Sequence, residues 1–399
     1  MKVKTRSAVL TLILIFGIAG WAPPPVRAQV PPSPSASSLF KVVPTPNENF
    51  NNGLLAASAS ASNDIWAVGQ STIHFDGTKW TAFPAPMIHG DNTSFLGGVA
   101  DISPTEAWAV GTVNIGKAHP GQVIEQWNGQ QWNVFPGPPF EKGDEPNLRA
   151  MATVASDDIW AVGSLLADEG QLLEFLFEHW DGTSWTATTQ LSGDAFLLGA
   201  SADATNDAWA VGFSGPENDD SLTLTMHWDE SEWATVPSPS VGSGANQLNA
   251  VVALAPNDAW AVGFSTPVAP PQEAATLTLI EHWDGTSWKV VPSPNVGPQS
   301  IFQSNRLLGI TAVSATDIWA FGSYFAASGS EFQMTLLLHW NGKTWNIVPS
   351  PNPTKDGFLF DLLFAGVAPS PGNVWIFGAE DEAPHDATLA IHATEGSQQ

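Results

Sequence analysis

Apolar and polar residues alternate along this chain in short runs, and the runs repeat in a fixed register. Seven hexapeptides (DIWAVG, EAWAVG, DIWAVG, DAWAVG, DAWAVG, DIWAFG and NVWIFG) place Trp66, Trp108, Trp160, Trp209, Trp260, Trp319 and Trp375 42 to 59 residues apart. A small residue precedes each tryptophan by ten positions: Ala56, Gly98, Ala150, Gly199, Ala250, Gly309 and Ala365. A second block follows after a stretch of variable length. It opens on His74, Gln126, His179, His227, His282 or His339 and closes six residues later on Trp80, Trp132, Trp185, Trp233, Trp288 or Trp345. Rigid spacing inside blocks and elastic spacing between them predicts packed strands joined by free loops.

Each repeat reads as four strands. Strand a holds the small residue, b carries WAVG, c ends in His-Trp, and d starts at the closing Trp. Asp-Gly or Asn-Gly lies between c and d in most copies, a strong hairpin signal. Pro84, Pro136, Pro237, Pro292 and Pro349 fall four residues into strand d. Proline has no N–H to give a ladder, so d is predicted at the sheet edge, with a innermost around an axis. The predicted fold is all-β: a seven-bladed β-propeller of four-stranded antiparallel blades, forming one domain over residues 39–399. The seventh repeat stops after strand c. Phe40 to Asn47 (FKVVPTPN) matches Trp288 to Asn295 (WKVVPSPN), so an N-terminal strand is expected to complete the last blade and close the ring.

Upstream of the repeats, Lys2, Lys4 and Arg6 precede an apolar stretch from Ala8 to Ala22, and Val26-Arg27-Ala28 resembles a signal-peptidase site. Residues 1–28 are therefore expected to be a signal peptide, with a retained anchor as the alternative, and 29–38 a Pro/Ser-rich linker. No later run is long enough to span a membrane. The expected location is secreted, periplasmic or on the cell surface.

Charge narrows the partners. Lys plus Arg number 13 and Asp plus Glu 39, for a net charge of −26. Such a chain repels phosphate, which excludes nucleic acid as a simple partner. It has no Cys, so disulfides, thiolate metal sites and cysteine nucleophiles are excluded. Eighteen of its 19 Trp occupy repeat positions and are predicted to pack between blades. His74, His179, His227, His282, His339 and His392 share one slot on strand c. A ring of them cannot converge on one metal ion, and a repeated hydrogen bond between blades is expected instead. Asp64, Asp158, Asp207, Asp258 and Asp317 are read as turn residues.

On these blocks the chain resembles kelch repeats, which build propellers such as the central domain of galactose oxidase. The DGTSW turn (Asp181, Gly182, Trp185) resembles the Asp-box of sialidase-type propellers. Tandem WAVG repeats are also similar to those of bacterial exported proteins. The copper chemistry of galactose oxidase needs a Tyr-Cys crosslink, and this chain has a single tyrosine, Tyr324, and no Cys. Sialidase chemistry needs an arginine triad, and only Arg149 and Arg306 lie beyond the leader.

Variation concentrates in the b–c and d–a loops, which leave the blades at one end. Functional residues favour such loops. Arg149 and Asn249 sit just before the small residue of strand a, at the expected channel mouth, and Arg306 lies a little earlier in its blade. With His89 on a d–a loop, these are the candidate ligand contacts. The expected function is a non-catalytic binding or interaction propeller, monomeric, taking an extracellular glycan or protein on that face. The alternative is a carboxylate-dependent hydrolase or lyase acting on extracellular polysaccharide. No cofactor is expected beyond calcium held by acidic loops, such as Asp168-Glu169, Glu217 to Asp220 and Glu380 to Glu382.

Overall fold

A computed structural model describes residues 39–393 apart from 49–50, 87–93, 114–120, 168–171, 216–219, 269–274, 298–303, 326–331, 354–359 and 383–384. The leader, the linker and His89 lie outside the described residues. Within them the chain forms seven sheets of four antiparallel strands. In blade one, strands a to d are Leu54–Ala61, Asp64–Gly69, Thr72–Phe75 and Trp80–Ala82. Blades two to six repeat this a-b-c-d order.

Blade seven closes the circle as expected. Its strands a to c are Asp361–Ser370, Asn373–Glu382 and His385–Ala393, and its fourth strand is Phe40–Val42. Phe40 pairs with Ala393 and Val42 with Ile391. The segment after Phe40 repeats a clasp seen in other blades. Thr278 and Thr335 on strand c donate their backbone N–H to Asn295 Oδ1 (2.9 Å) and Asn352 Oδ1 (2.7 Å) in the d–a segment. Thr388 does the same to Asn47 Oδ1 at 2.8 Å. The VPSPN sequence thus ties the outer strand to strand c without using a ladder position that proline would interrupt.

The tryptophans join neighbouring blades. Trp66 meets Trp127 (4.8 Å) and Trp132 (4.9 Å) of blade two, and Trp209 meets Trp283 and Trp288 of blade five, both at 5.0 Å. Trp375 of blade seven reaches Phe75 and Trp80 of blade one at 5.1 and 5.3 Å, so the aromatic chain is itself a ring. Phe40 fills the tryptophan slot against Trp319 at 5.2 Å. Such pairs contribute about 0.5–1.5 kcal/mol each beyond simple burial.

The WAVG glycine is dictated by close approach. A Cβ on Gly263 would lie 1.8 Å from the Gln247 carbonyl oxygen of strand a, and one on Gly378 would lie 1.7 Å from that of Leu362. The c–d turns need glycine for another reason: Gly182 and Gly285 have φ of +83° and +87°. Blade four carries Asp-Glu there, and Glu230 adopts φ +78° in glycine's place.

Two expectations change at the turn end of the blades. The histidines do not bond between blades. His74, His179, His227, His282 and His339 each donate Nε2–H to the aspartate of their own blade, Asp64, Asp158, Asp207, Asp258 and Asp317, at 2.5–2.9 Å. His392 makes the same bond to Asn373 (2.8 Å). The cause is register: histidine on c lies directly opposite tryptophan on b, and its ring rests on that indole, as in Trp319–His339 at 4.1 Å. The aspartates are likewise more than turn residues. They begin strand b, and Asp258 and Asp317 also accept from the indoles of Trp260 and Trp319.

Candidate functional site

Strand a decides what reaches the axis. In every blade its pairing with b slips by one residue immediately before the small residue: Leu54/Ala56, Leu96/Gly98, Leu148/Ala150, Leu197/Gly199, Leu248/Ala250, Leu307/Gly309 and Leu363/Ala365. One extra residue is left between the two, a β-bulge. Its flanks point into opposite seams. Leu148 belongs to the core between blades two and three, whereas Ala150 packs against the core between blades three and four. Leu248 and Ala250 divide in the same way. Where its surroundings are shown, the bulged position faces the innermost strand of the next blade: a Cβ on Gly97 would lie 2.8 Å from the Arg149 carbonyl oxygen.

Arg149 and Asn249 occupy that bulge in blades three and five. The sister positions hold Leu55, Gly97, Leu198, Leu308 and Phe364, all half-buried. Arg306 lies two residues above its own bulge, on the loop side. Arg149, Asn249 and Arg306 thus lie on the innermost strands of blades three, five and six. The Arg149 guanidinium lies 5.4 Å from the Phe95 ring centre and that of Arg306 lies 4.5 Å from Phe264. Asn249 is engaged within the protein: its Nδ2 donates to the Leu307 carbonyl of the next blade (2.7 Å) and its Oδ1 accepts from Gln247 Nε2 (2.7 Å). Asn147, above Arg149 on the same strand, accepts from Thr112 Oγ1 at 3.0 Å.

On the turn side of the bulge, strands a of blades one, six and seven line a cavity of about 250 Å³ with Ala57, Ser58, Ala59, Thr311, Val367, Ala368 and Pro369. No candidate residue lies there. Beside it, strand a of blade one meets Asp101 of blade two: Ser60 N donates to Asp101 Oδ2 (3.0 Å), and Asp101 N donates to Ser58 Oγ (3.0 Å). Burial, and then the nearby Asp64 charge, push Asp101 up to about 8.

Sequence reasoning passed over a set of internal acids. The residue before the strand-c histidine slot is Ile73, Met226, Leu338 or Ile391 in four blades, and Glu125, Glu178 or Glu281 in the others. All three glutamates have 0% exposure. Burial raises Glu281 to about 8, and Glu178 also to about 8 despite the opposing contact from Gln122 on the facing blade. The period of the repeat would have revealed them, since an acid shares a slot with aliphatic residues. At the loop end of blade seven, Asp381 and Asp386 face one another across the b–c hairpin. Burial and the Asp381 charge raise Asp386 to about 6. Among the described residues no group of three or more potential ligands could hold a metal ion, and no helix is long and apolar enough to cross a membrane.

No family profile matches the sequence, and no curated protein matches it. Solved structures do. YCF48 bound to a D1 peptide is similar over 90% of this chain and 96% of that one, at 14% identity and a TM-score of 0.55. A polysaccharide lyase of the ulvan lyase type, bound to its sugar, covers 88% and 95% at 9% identity and a TM-score of 0.49. At such identities the likeness is one of fold, and the fold is a seven-bladed β-propeller.

Proposed function

We propose that this protein is an exported, non-catalytic binding module of the kelch-like, WAVG-repeat kind. Its ligand, a glycan or a protein, docks on the face of the b–c and d–a loops. The observation that carries this reading is the departure from repetition at that end. Hydrogen-bonded devices recur blade after blade at the turn end, whereas the innermost strands toward the loops exchange Leu, Gly and Phe for Arg149, Asn249 and Arg306. Rigid repeated strands with blade-specific residues at one end form the arrangement in which binding sites sit on a scaffold. The test is a glycan array beside a panel of extracellular proteins, with a parallel screen for hydrolysis and elimination. Saturable binding without turnover is the expected result, and it should weaken on substitution of loop-face residues.

One observation supports a second reading as a hydrolase or lyase: Asp386, raised to about 6, beside the Asp381 carboxylate. A carboxyl raised in this way by burial and a neighbouring carboxylate is suited to general acid work. Turnover abolished in Asp386→Asn would establish that reading in place of the first. Calcium held by the acidic loops would appear as a calcium-dependent rise in Tm.

A further inference from the structure

We propose that the outer strand of blade three docks an extended, lysine-bearing peptide of a partner protein, which pairs with it as a further strand of the sheet. This concerns the rim of the ring and is separate from the loop-face site.

The sequence sets this strand apart. In six of the seven blades the fourth and sixth residues after the start of strand d are both proline, as in Pro237 and Pro239 after Trp233 or Pro44 and Pro46 after Phe40. Blade three has Thr189 and Leu191 in those places. Its strand d runs seven residues, Trp185–Leu191, whereas the others run three or four.

Register shows what the prolines block. Ser192 N donates to the Leu173 carbonyl of strand c at 3.1 Å, and Thr188 and Gln190 lie opposite Phe177 and Phe175. Alternate residues of an antiparallel strand bond to opposite sides. Thr186, Thr188 and Gln190 therefore face strand c, while Ala187, Thr189 and Leu191 turn their N–H and C=O away from the sheet. No described strand lies beyond them. By the same count the other six blades place proline, which has no N–H, on the outward side. Four of those blades also carry a lysine, Lys41, Lys79, Lys289 or Lys343, on strand d or in the turn before it. Proline and edge lysine both keep strands from pairing with another chain, and strand d of blade three has neither. It is also held ready: Gln190 Nε2 donates to the Trp233 carbonyl of blade four at 3.1 Å, Thr186 to Thr189 are exposed, and Leu191 is 71% exposed.

Charge selects the occupant. Residues 186–191 carry none, but Asp181 and Asp194 are exposed at the two ends, and Glu174 lies opposite Leu191 on strand c. No lysine occurs between Lys142 and Lys289, and the one arginine of that stretch, Arg149, is on the innermost strand. An extended peptide with lysines flanking its pairing core meets an acid at each end. A second copy of this chain fits badly, because antiparallel pairing of two such edges sets the Asp181 end of one beside the Asp194 end of the other.

The probe is a nonapeptide of alternating Thr and Val with two lysines at each end. Its controls are the same peptide with glutamates for lysines, and the lysine peptide N-methylated at every Thr and Val. In fluorescence anisotropy the lysine peptide should bind at least about tenfold more tightly than either control. Thr189→Pro, which copies the other blades, should weaken it at least about tenfold. Near-UV circular dichroism checks the fold; if that variant fails to fold, Thr189→Lys, which keeps the backbone donor, replaces it with the same expected loss. Thr235→Lys, the same charge change on the outer strand of blade four, should leave binding unchanged. In hydrogen exchange the peptide should slow the amides of Ala187, Thr189 and Leu191 and leave those of Thr188 and Gln190 as they were. Absence of binding, equal binding of the three peptides, undiminished binding by the Thr189 variants, or no protection of the three outward amides would each overturn the inference. A dimer in size-exclusion chromatography that Thr189→Pro dissociates would overturn it in favour of a second copy as the occupant.

Discussion

The two ends of this propeller are built differently. At the turn end, a histidine from strand c meets an aspartate from strand b in five blades, with His392 and Asn373 as the sixth pair. There too the strand-c indoles reach back to the a–b turns, Trp180 to the Ser156 carbonyl at 3.0 Å and Trp283 to that of Pro256 at 3.1 Å. At the loop end the same strands diverge: the bulge position is Leu in three blades, Gly in one, Phe in one, Asn in one and Arg in one. What recurs in every blade answers a need of the fold, and what one blade alone carries is open to another use. The histidines show how this guards against error, since six in one slot look like metal ligands until their partners prove to lie in their own blades.

The comparison can be broken most severely at the seam that closes the ring. Deleting residues 39–47 removes Phe40 from the Trp319 contact and Asn47 from Thr388. Loss of the cooperative melting transition and a shift to aggregates in size-exclusion chromatography are expected, because strand c of blade seven becomes an open edge. Next in size, Trp209→Ala empties the seam between blades four and five and should cost about 3–5 kcal/mol in chemical denaturation.

The internal acids sharpen the contrast by pH. Glu281 is held near 8 in the folded protein against an ordinary 4.5, so the folded state retains a proton that the unfolded chain releases. Its contribution to stability is fully present below about pH 4.5 and is lost as pH rises toward 8. Glu281→Leu, which copies Leu338 of blade six, should raise stability by about 1–3 kcal/mol at pH 8 and leave it unchanged at pH 4. A melting-temperature series across pH reads this directly, and a uniform gain at both ends would contradict it. His282→Ala should cost about 1–2 kcal/mol by leaving Asp258 with only the Trp260 indole as its ring donor.

The architecture was legible because its signals are local and periodic. Trp spacing, Asp-Gly turns and the proline of strand d each report a strand boundary, and the echo of WKVVPSPN in FKVVPTPN located the closing strand. The bulge was not legible, since Leu-Arg-Ala and Leu-Asn-Ala differ in no obvious way from an unbroken strand. Only the slip in pairing shows that Arg149 and Asn249 occupy a bulge between two residues that face opposite seams. The histidine partners were missed because registers between strands b and c depend on a loop whose length varies from blade to blade. The chemistry at the channel mouth was visible only as residues out of step with their sisters. That indicated a place, and for Asn249 it was partly misleading, because its amide bridges blades five and six.

The closing strand also fixes when this protein can finish folding. Thr45 and Thr388 share a hydrogen bond across 343 residues of sequence, so the first strand made must wait for the last. Six blades can each collapse on local hairpins as they emerge. The seventh pairs residues 40–42 with 391–393, and its closure entropy delays that step beyond all others. Until it happens, the Trp319 and Trp375 seams lack their final cover. A partly made chain is thus exposed at a single, definable place, and the rate at which residues 40–47 find strand c of blade seven sets how long that exposure lasts.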